Sequence, residues 1–376
     1  MSFVSKDDLS KSDFRPILSQ RARSGIELLG TIQKYASGTI RKRAEDEFNS
    51  DPDGKTFHRS TPDIIHNEPW PDRLDRLRAI ADRQTSYRFE RLLQRHVAEE
   101  VYLKGIPALE ERRDQFEKLT ELPKGKALGS LELDERIAFP EYYKGVEWHL
   151  EPGGWDGYDL YGPFFTYVAG PHIFKYGGYA AVEPGADIIQ QRIDVVRLLP
   201  KASYSRIYEP GCGGFSTLAA AHKLFPEAEL IGSDLSPLLL KNGHITAERL
   251  GVAVQFKQRD ARQTGEPSDS MDAVLMYALM HEMPVAVSIE TFKEALRILK
   301  PGGDIVISDP PPFRAVEPFQ ALLLDWDTAH RCEPFFSDAC SANWAEELRA
   351  LGFVNVSEHI LGPKGYPYVT VASKPI

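Results

Sequence analysis

Over residues 21–48 apolar side chains recur every three or four positions, at Ile26, Leu29, Ile32, Ala36 and Ile40. That spacing predicts a helix with one buried stripe. Residues 50–71 hold several Pro, Asp and Asn and read as a loop. Helical periodicity returns over 73–119, with Leu77, Ile80, Phe89, Leu92, Leu93, Val97, Val101 and Leu109 as the expected buried positions. Pro107 should interrupt that run, because it lacks an N–H and clashes with the preceding turn. Residues 1–20 are polar and are expected to be loosely ordered.

The pattern changes near Asp187. A helix is expected over 187–199, stopped by Pro200, and short apolar runs then alternate with helical stretches. The runs are 205–209, 228–233, 252–258, 272–276, 304–308, 353–360 and 367–373. Ser236 and Ser341 stand where N-caps belong, and Gly251 and Gly352 where helices stop. Alternation of this kind predicts an α/β fold, a doubly wound parallel sheet of seven strands with helices on both faces. The last two runs are joined by residues 361–366 only, too short for a crossover helix, so that pair should be antiparallel. The chain thus divides into a mostly helical N-terminal domain, 1–195, and a sheet domain, 196–376.

The N-terminal domain contains a segment of different character. Residues 139–179 hold thirteen aromatic residues in 41 positions, against 10% aromatic for the whole chain, together with eight glycines. Such a density of Gly and Pro argues against long regular elements. Aromatic side chains on irregular backbone suit the wall or lid of a pocket for a flat, apolar ligand. A loop-rich aromatic core between domains, or a dimer contact, would have the same composition.

The first strand of the sheet ends in Glu209-Pro210-Gly211-Cys212-Gly213-Gly214 and runs on to Phe215-Ser216. Glycines at 211 and 213 allow a tight turn and close approach of backbone to a ligand, and the helix that follows aims its free N–H groups at it. Asp234 closes the next strand, where a carboxylate suits a ribose diol. Asp260-Ala261 closes the one after, where Asp260 would accept from an adenine amino group. These pieces describe a pocket for an adenosine-containing cofactor without a phosphate. A nicotinamide fingerprint would require a third small residue at the position of Ser216, and Ser216 meets that requirement poorly.

Glu209-Pro210-Gly211-Cys212-Gly213-Gly214, Ser233-Asp234-Leu235-Ser236, Arg259-Asp260-Ala261 and Leu299-Lys300-Pro301-Gly302-Gly303 occur in that order. In this the chain resembles the class I S-adenosylmethionine-dependent methyltransferases, over roughly residues 200–376. The resemblance implies a Rossmann-like methyltransferase sheet and S-adenosyl-L-methionine as cofactor. It also implies cofactor contacts from Glu209, Gly211, Gly213, Asp234, Leu235, Asp260, Ala261 and Tyr277. One departure is Phe215, which stands where the family pattern has its third glycine.

The acceptor is less well specified. Ligands of doubly wound sheets bind beyond the carboxyl ends of the strands. His281 follows the fourth strand and would serve as a base, since imidazole titrates near neutrality. It would equally serve to orient the next helix or pack under the cofactor. His330, in the polar and aromatic stretch 325–336, and His149, in the aromatic segment, are the other candidates. Asp309-Pro310-Pro311-Pro312-Phe313 has the look of an amino-methylation motif, but it follows the fifth strand rather than the fourth and reads as stiffening beside a lid. No group of residues shows zinc-ligand spacing, and no metal is expected.

Composition narrows the remaining classes. The net charge of −10 argues against general nucleic-acid binding. Three cysteines without a C-x-x-C pair suit a reducing compartment, and no apolar run is long enough to span a bilayer, so a cytoplasmic protein without a membrane partner is expected. The reading is an enzyme that methylates a small aromatic or apolar acceptor, on oxygen. Methylation of an activated ring carbon, a protein-modifying methyltransferase and a non-catalytic cofactor-binding assembly protein stay open beside it. The N-terminal helices are the candidate surface for a homodimer.

Overall fold

The computed structural model describes residues 18–57, 69–177 and 179–376. Most of the N-terminal stretch expected to be loosely ordered, and 58–68 of the loop expected over 50–71, lie outside them.

Helix Gln20–Tyr35 starts at Ser19, whose hydroxyl accepts from the Ala22 N–H at 3.3 Å. It passes through a wide turn, Ala36–Ile40, into helix Arg41–Ser50, and Ile26, Leu29, Ala36 and Ile40 are buried as the spacing predicts. The second helical stretch divides into Trp70–Ala81 and Thr85–Glu110. Pro107 does not end the latter, since in the last turn few backbone bonds remain to lose. Phe89 and Leu92 were expected inside and are 47% and 62% exposed. At that level the inward face of the helix is taken by Glu90, Arg91 and Gln94, which bond to one another and to Arg41, Ser37 and Gln33 in a buried polar network. Apolar periodicity cannot find a stripe that is partly polar.

The sheet has eight strands in the order β1-β4-β3-β2-β5-β6-β8-β7. Seven coincide closely with the expected runs: β2 Arg206–Pro210, β3 Glu229–Asp234, β4 Val254–Gln258, β5 Met271–Tyr277, β6 Leu299–Asp309, β7 Val354–Ile360 and β8 Tyr368–Ser373. All are parallel except β8, which is antiparallel to both of its neighbours. The eighth, β1 Ser130–Glu132, comes from the N-terminal half and lies parallel on the edge of β4. Three residues are too few for a periodic signal. What holds them is remote: the Glu248 carboxylate accepts from the Leu128 and Gly129 N–H groups, and Arg259 pairs with Glu132.

One hydrophobic cluster runs from Phe48, Leu77 and Tyr87 of the N-terminal helices through Phe313, Phe319 and Leu322 to Ile207 and Phe215 beside the sheet. Phe48 and Phe319 lie 5.5 Å apart between ring centres. The aromatic segment makes short turns at Trp148–Leu150 and Gly154–Asp156. It then forms a helical run, Tyr161–Phe164 continuing into the wide-turned Phe165–Phe174. That run is more regular than its glycines and prolines suggested. Its apolar side chains Phe164, Val168 and Ile173 are buried with Ile26, Leu29, Val101 and Tyr102 of the flanking helices, and packing outweighs the local propensity. A Cβ on Gly30 would sit 2.0 Å from the His172 carbonyl oxygen, so only glycine allows the two helices to come so close.

Candidate active site

A cavity of about 420 Å³ opens beyond the carboxyl ends of β2, β3 and β5, where strand order reverses, and the aromatic segment covers it. Every residue expected to contact the cofactor lines it: Glu209, Gly211, Gly213, Asp234, Leu235, Asp260, Ala261 and Tyr277.

The glycine turn is built for close approach. Gly211 and Gly213 have φ of +63° and +51°, and a Cβ on Gly213 would meet nothing within 4 Å. Asp234 ties the turn to the end of β3, its two oxygens accepting from the Gly213 and Ser236 N–H groups at 2.9 Å each. Burial nonetheless pushes its carboxyl up to about 6. Glu209 is buried, burial raises it to about 8, and its Oε2 has no hydrogen-bond partner. Phe215 takes the missing glycine's left-handed conformation, φ +85°, and buries its ring fully, 6.3 Å from that of Phe256. The departure from the family pattern is thus absorbed as backbone strain of roughly 1–3 kcal/mol, held by packing. Asp260 is engaged by Arg262, whose Nη2 donates to Oδ2 at 2.6 Å.

The other end of the cavity is aromatic, with Tyr142, Tyr143, Trp155, Tyr161, Phe165 and Tyr179 on its wall. Here the structure brings His149 and His281 together and leaves His330 out. His330 ends helix Pro318–His330, exposed, stacked on Trp326 with ring centres 4.5 Å apart. The stretch 325–336 contributes Glu333 to the cavity instead.

His149 Nε2 lies 2.7 Å from Glu333 Oε1 and 3.3 Å from Glu282 Oε1. His281 Nε2 is 3.5 Å from that same Glu282 oxygen. The far nitrogens face carboxylates as well, His281 Nδ1 at 2.8 Å from Asp309 Oδ1 and His149 Nδ1 at 3.6 Å from Glu151 Oε1. Burial opposes a charge on His281, but Asp309 and Glu282 outweigh it and raise the imidazole to about 9. Burial opposes charge on His149 too, and there Glu333, Tyr179 and Glu282 prevail and raise it well above the usual range. Glu333 and Glu151 are pushed up by burial. The sequence reading missed Glu333, Glu151 and Asp309 as site residues. Only the adjacency of His281 and Glu282 after β5 was a local signal, and the other members arrive from distant segments.

Residues 207–303 match a family model described as a methyltransferase domain. Over these residues the chain carries a methyltransferase domain. It is 30% identical over 128 residues to a demethylmenaquinone methyltransferase of Thermus thermophilus, covering 34% of this chain and 57% of that one. It is 26% identical over 140 residues to a ribosomal RNA small subunit methyltransferase C of Hahella chejuensis, covering 36% and 38%. The chain therefore spans less than two thirds of the length of these curated relatives. Among solved structures, an O-methyltransferase family protein from Burkholderia thailandensis aligns over 58% of this chain and 59% of its own, at 20% identity and a TM-score of 0.42. Among the described residues no helix is long and apolar enough to cross a membrane.

Proposed function

We propose that this methyltransferase uses S-adenosyl-L-methionine to methylate an oxygen of a small aromatic or apolar acceptor. One observation carries the reading: the glycine turn with its acidic strand ends and the aromatic wall with its His–Glu cluster line a single cavity.

The residues at the first end fit the cofactor. Gly213 leaves open space for it, Asp234 is pre-positioned by two backbone donors with lone pairs left for a ribose diol, and the unpartnered Glu209 Oε2 suits the ammonium of the methionine moiety. Asp260 reaches the adenine amino group only in competition with Arg262. When bound, the cofactor supplies a methyl group already activated by a sulfonium. The chain's own part is then alignment of the acceptor oxygen, exclusion of water by the aromatic wall and removal of a proton. Beside the His149–Glu333 and His281–Asp309 pairs the charged imidazoles stabilise the oxyanion of a phenol or enol, whose proton passes to a carboxylate of the cluster. The aromatic enclosure and the net charge of −10 support a small molecule rather than a nucleic acid.

Methylation of a ring carbon is the competing reading, favoured by the relative whose name specifies demethylmenaquinone. Incubation with the cofactor and panels of phenols, enols, carboxylates and quinols, read by mass spectrometry of the product, separates the two. An oxygen-linked methyl on a phenol or enol is the expected product. A carbon-linked methyl sinks the oxygen assignment, and transfer only to polypeptides sinks the small-acceptor reading.

A further inference from the structure

His149, His281, Glu282 and Glu333 each turn one donor atom toward a common point on the cavity wall, and these four atoms all lie within 4.8 Å of one another. A tetrahedral ion with bonds of about 2.1 Å has ligand-to-ligand edges of roughly 3.4 Å. Two observed separations, 3.3 and 3.5 Å, fall near that edge length, and the 2.7 Å between His149 Nε2 and Glu333 Oε1 would have to widen by about 0.7 Å.

Two independent features point to an ion rather than to a set of ion pairs. The first is the backing of the imidazoles. Asp309 and Glu151 face the Nδ1 atoms, which leaves both Nε2 atoms for the centre. Carboxylate behind histidine behind ion is the usual outer arrangement of metal centres. Tyr102 in turn donates to Glu151 at 3.2 Å, fixing the outermost layer. The second is unmet bonding capacity. Oε2 of Glu282 and Oε2 of Glu333 are buried with no hydrogen-bond partner, and Glu333 is only 1% exposed. Among the described residues the ion-pair partners of Glu151, Glu282, Glu333 and Asp309 are these two imidazoles alone. Two ring protons would balance two of the four carboxylates. The Oε1 atoms are the ones that face the imidazoles; a divalent ion supplies the same charge from one point, and bidentate binding by a carboxylate would also give its orphaned Oε2 a partner, which the protons do not.

We propose that His149, His281, Glu282 and Glu333 bind one divalent first-row transition ion at the acceptor end of the cavity. Two imidazoles and two carboxylates form a donor set for zinc, iron(II) or manganese rather than for calcium or magnesium. The ion faces the cavity, so an oxygen of the acceptor would add a fifth ligand to the four protein donors, and there the ion lowers the pKa of a phenol or enol. The ion site stands without the methyltransferase reading; only the contact with an acceptor oxygen rests on it.

The test is metal analysis of the purified protein, followed by chelation and titration with Zn²⁺, Mn²⁺ and Co²⁺, alongside Glu333→Gln and Asp309→Asn. Calorimetry with S-adenosylhomocysteine on the same samples reports the other end of the cavity separately. The expected result is one equivalent of tightly bound ion and visible absorption bands on loading Co²⁺. Ion affinity falls in Glu333→Gln and drops about 10–100-fold in Asp309→Asn, a positioning residue, with S-adenosylhomocysteine binding unchanged. Should a variant fail to fold, the wild-type stoichiometry and the Co²⁺ spectrum decide alone. Failure of the wild type to bind any of the three ions more tightly than a surface carboxylate does, or a Co²⁺ spectrum indistinguishable from the aqueous ion, overturns the proposal. Ion binding without S-adenosylhomocysteine binding would leave the metal site standing and remove the cofactor assignment.

Discussion

The cofactor end of the cavity is made of neighbours in sequence: Glu209, Gly211 and Gly213 share one strand–turn–helix unit, and Asp234 closes the next strand. The acceptor end is made of strangers: His149 comes from the aromatic segment, His281 and Glu282 from the turn after β5, and Glu333 from the loop after helix Pro318–His330. The first end carries acidic groups with spare capacity and a backbone shaped to receive a ligand. The second carries a nearly closed set of buried charges. The first therefore looks ready for a cofactor in transit, and the second for something that stays.

The largest expected effect separates the two ends by function. Glu333→Gln should lower methyl transfer by about 10²–10⁴-fold, because the cluster that draws the proton from the acceptor loses a carboxylate, while the affinity for S-adenosylhomocysteine stays within about twofold. A parallel loss of cofactor affinity would mean that the ends are not separate.

Phe215 tests the strain at the cofactor end. Phe215→Ala should cost about 3–5 kcal/mol in denaturant unfolding, because a fully buried ring is lost. Phe215→Gly removes the same ring but relieves φ +85°, so it should be more stable than the alanine variant by about 1 kcal/mol. The usual order, glycine worse than alanine, would contradict the strained turn.

Glu209 gives a smaller effect, dependent on pH. Its folded pKa of about 8 stands above the ordinary value of 4.5, so between these values the folded chain holds more protons than the unfolded one. Stability from this group is full below 4.5 and is lost as pH rises through 8. Glu209→Gln keeps the shape and removes the titration. It should be more stable than wild type at pH 9, by on the order of 5 kcal/mol, and equal to it at pH 4. It should also bind the cofactor more weakly, which would mark the buried carboxylate as kept for binding at the expense of stability.

The same contrast explains what the sequence made legible. The strands β2 to β8 were visible because period-two and buried apolar runs are local, and the cofactor residues were visible because a turn and its flanking acid lie within a few positions of one another. β1 was not, since three residues at a sheet edge depend on Glu248 and Arg259 far along the chain. Phe89 and Leu92 were placed inside because over Glu90–Gln94 the true inward face of their helix is polar and hydrogen-bonded to its neighbours. Glu333 was passed over for His330, three residues away, because residue type alone cannot say which side chain the end of a helix turns inward. The aromatic segment was recognisable as a wall by composition, but the burial that makes it helical over Tyr161–Phe174 belongs to tertiary packing.

The most direct measurement is calorimetric titration of the purified protein with S-adenosylmethionine and S-adenosylhomocysteine, wild type against Asp234→Ala. Micromolar binding of both, weakened at least about tenfold in the variant by loss of a charged hydrogen-bond acceptor, is the predicted result. No binding by folded wild type, or equal affinity in Asp234→Ala, would contradict the account.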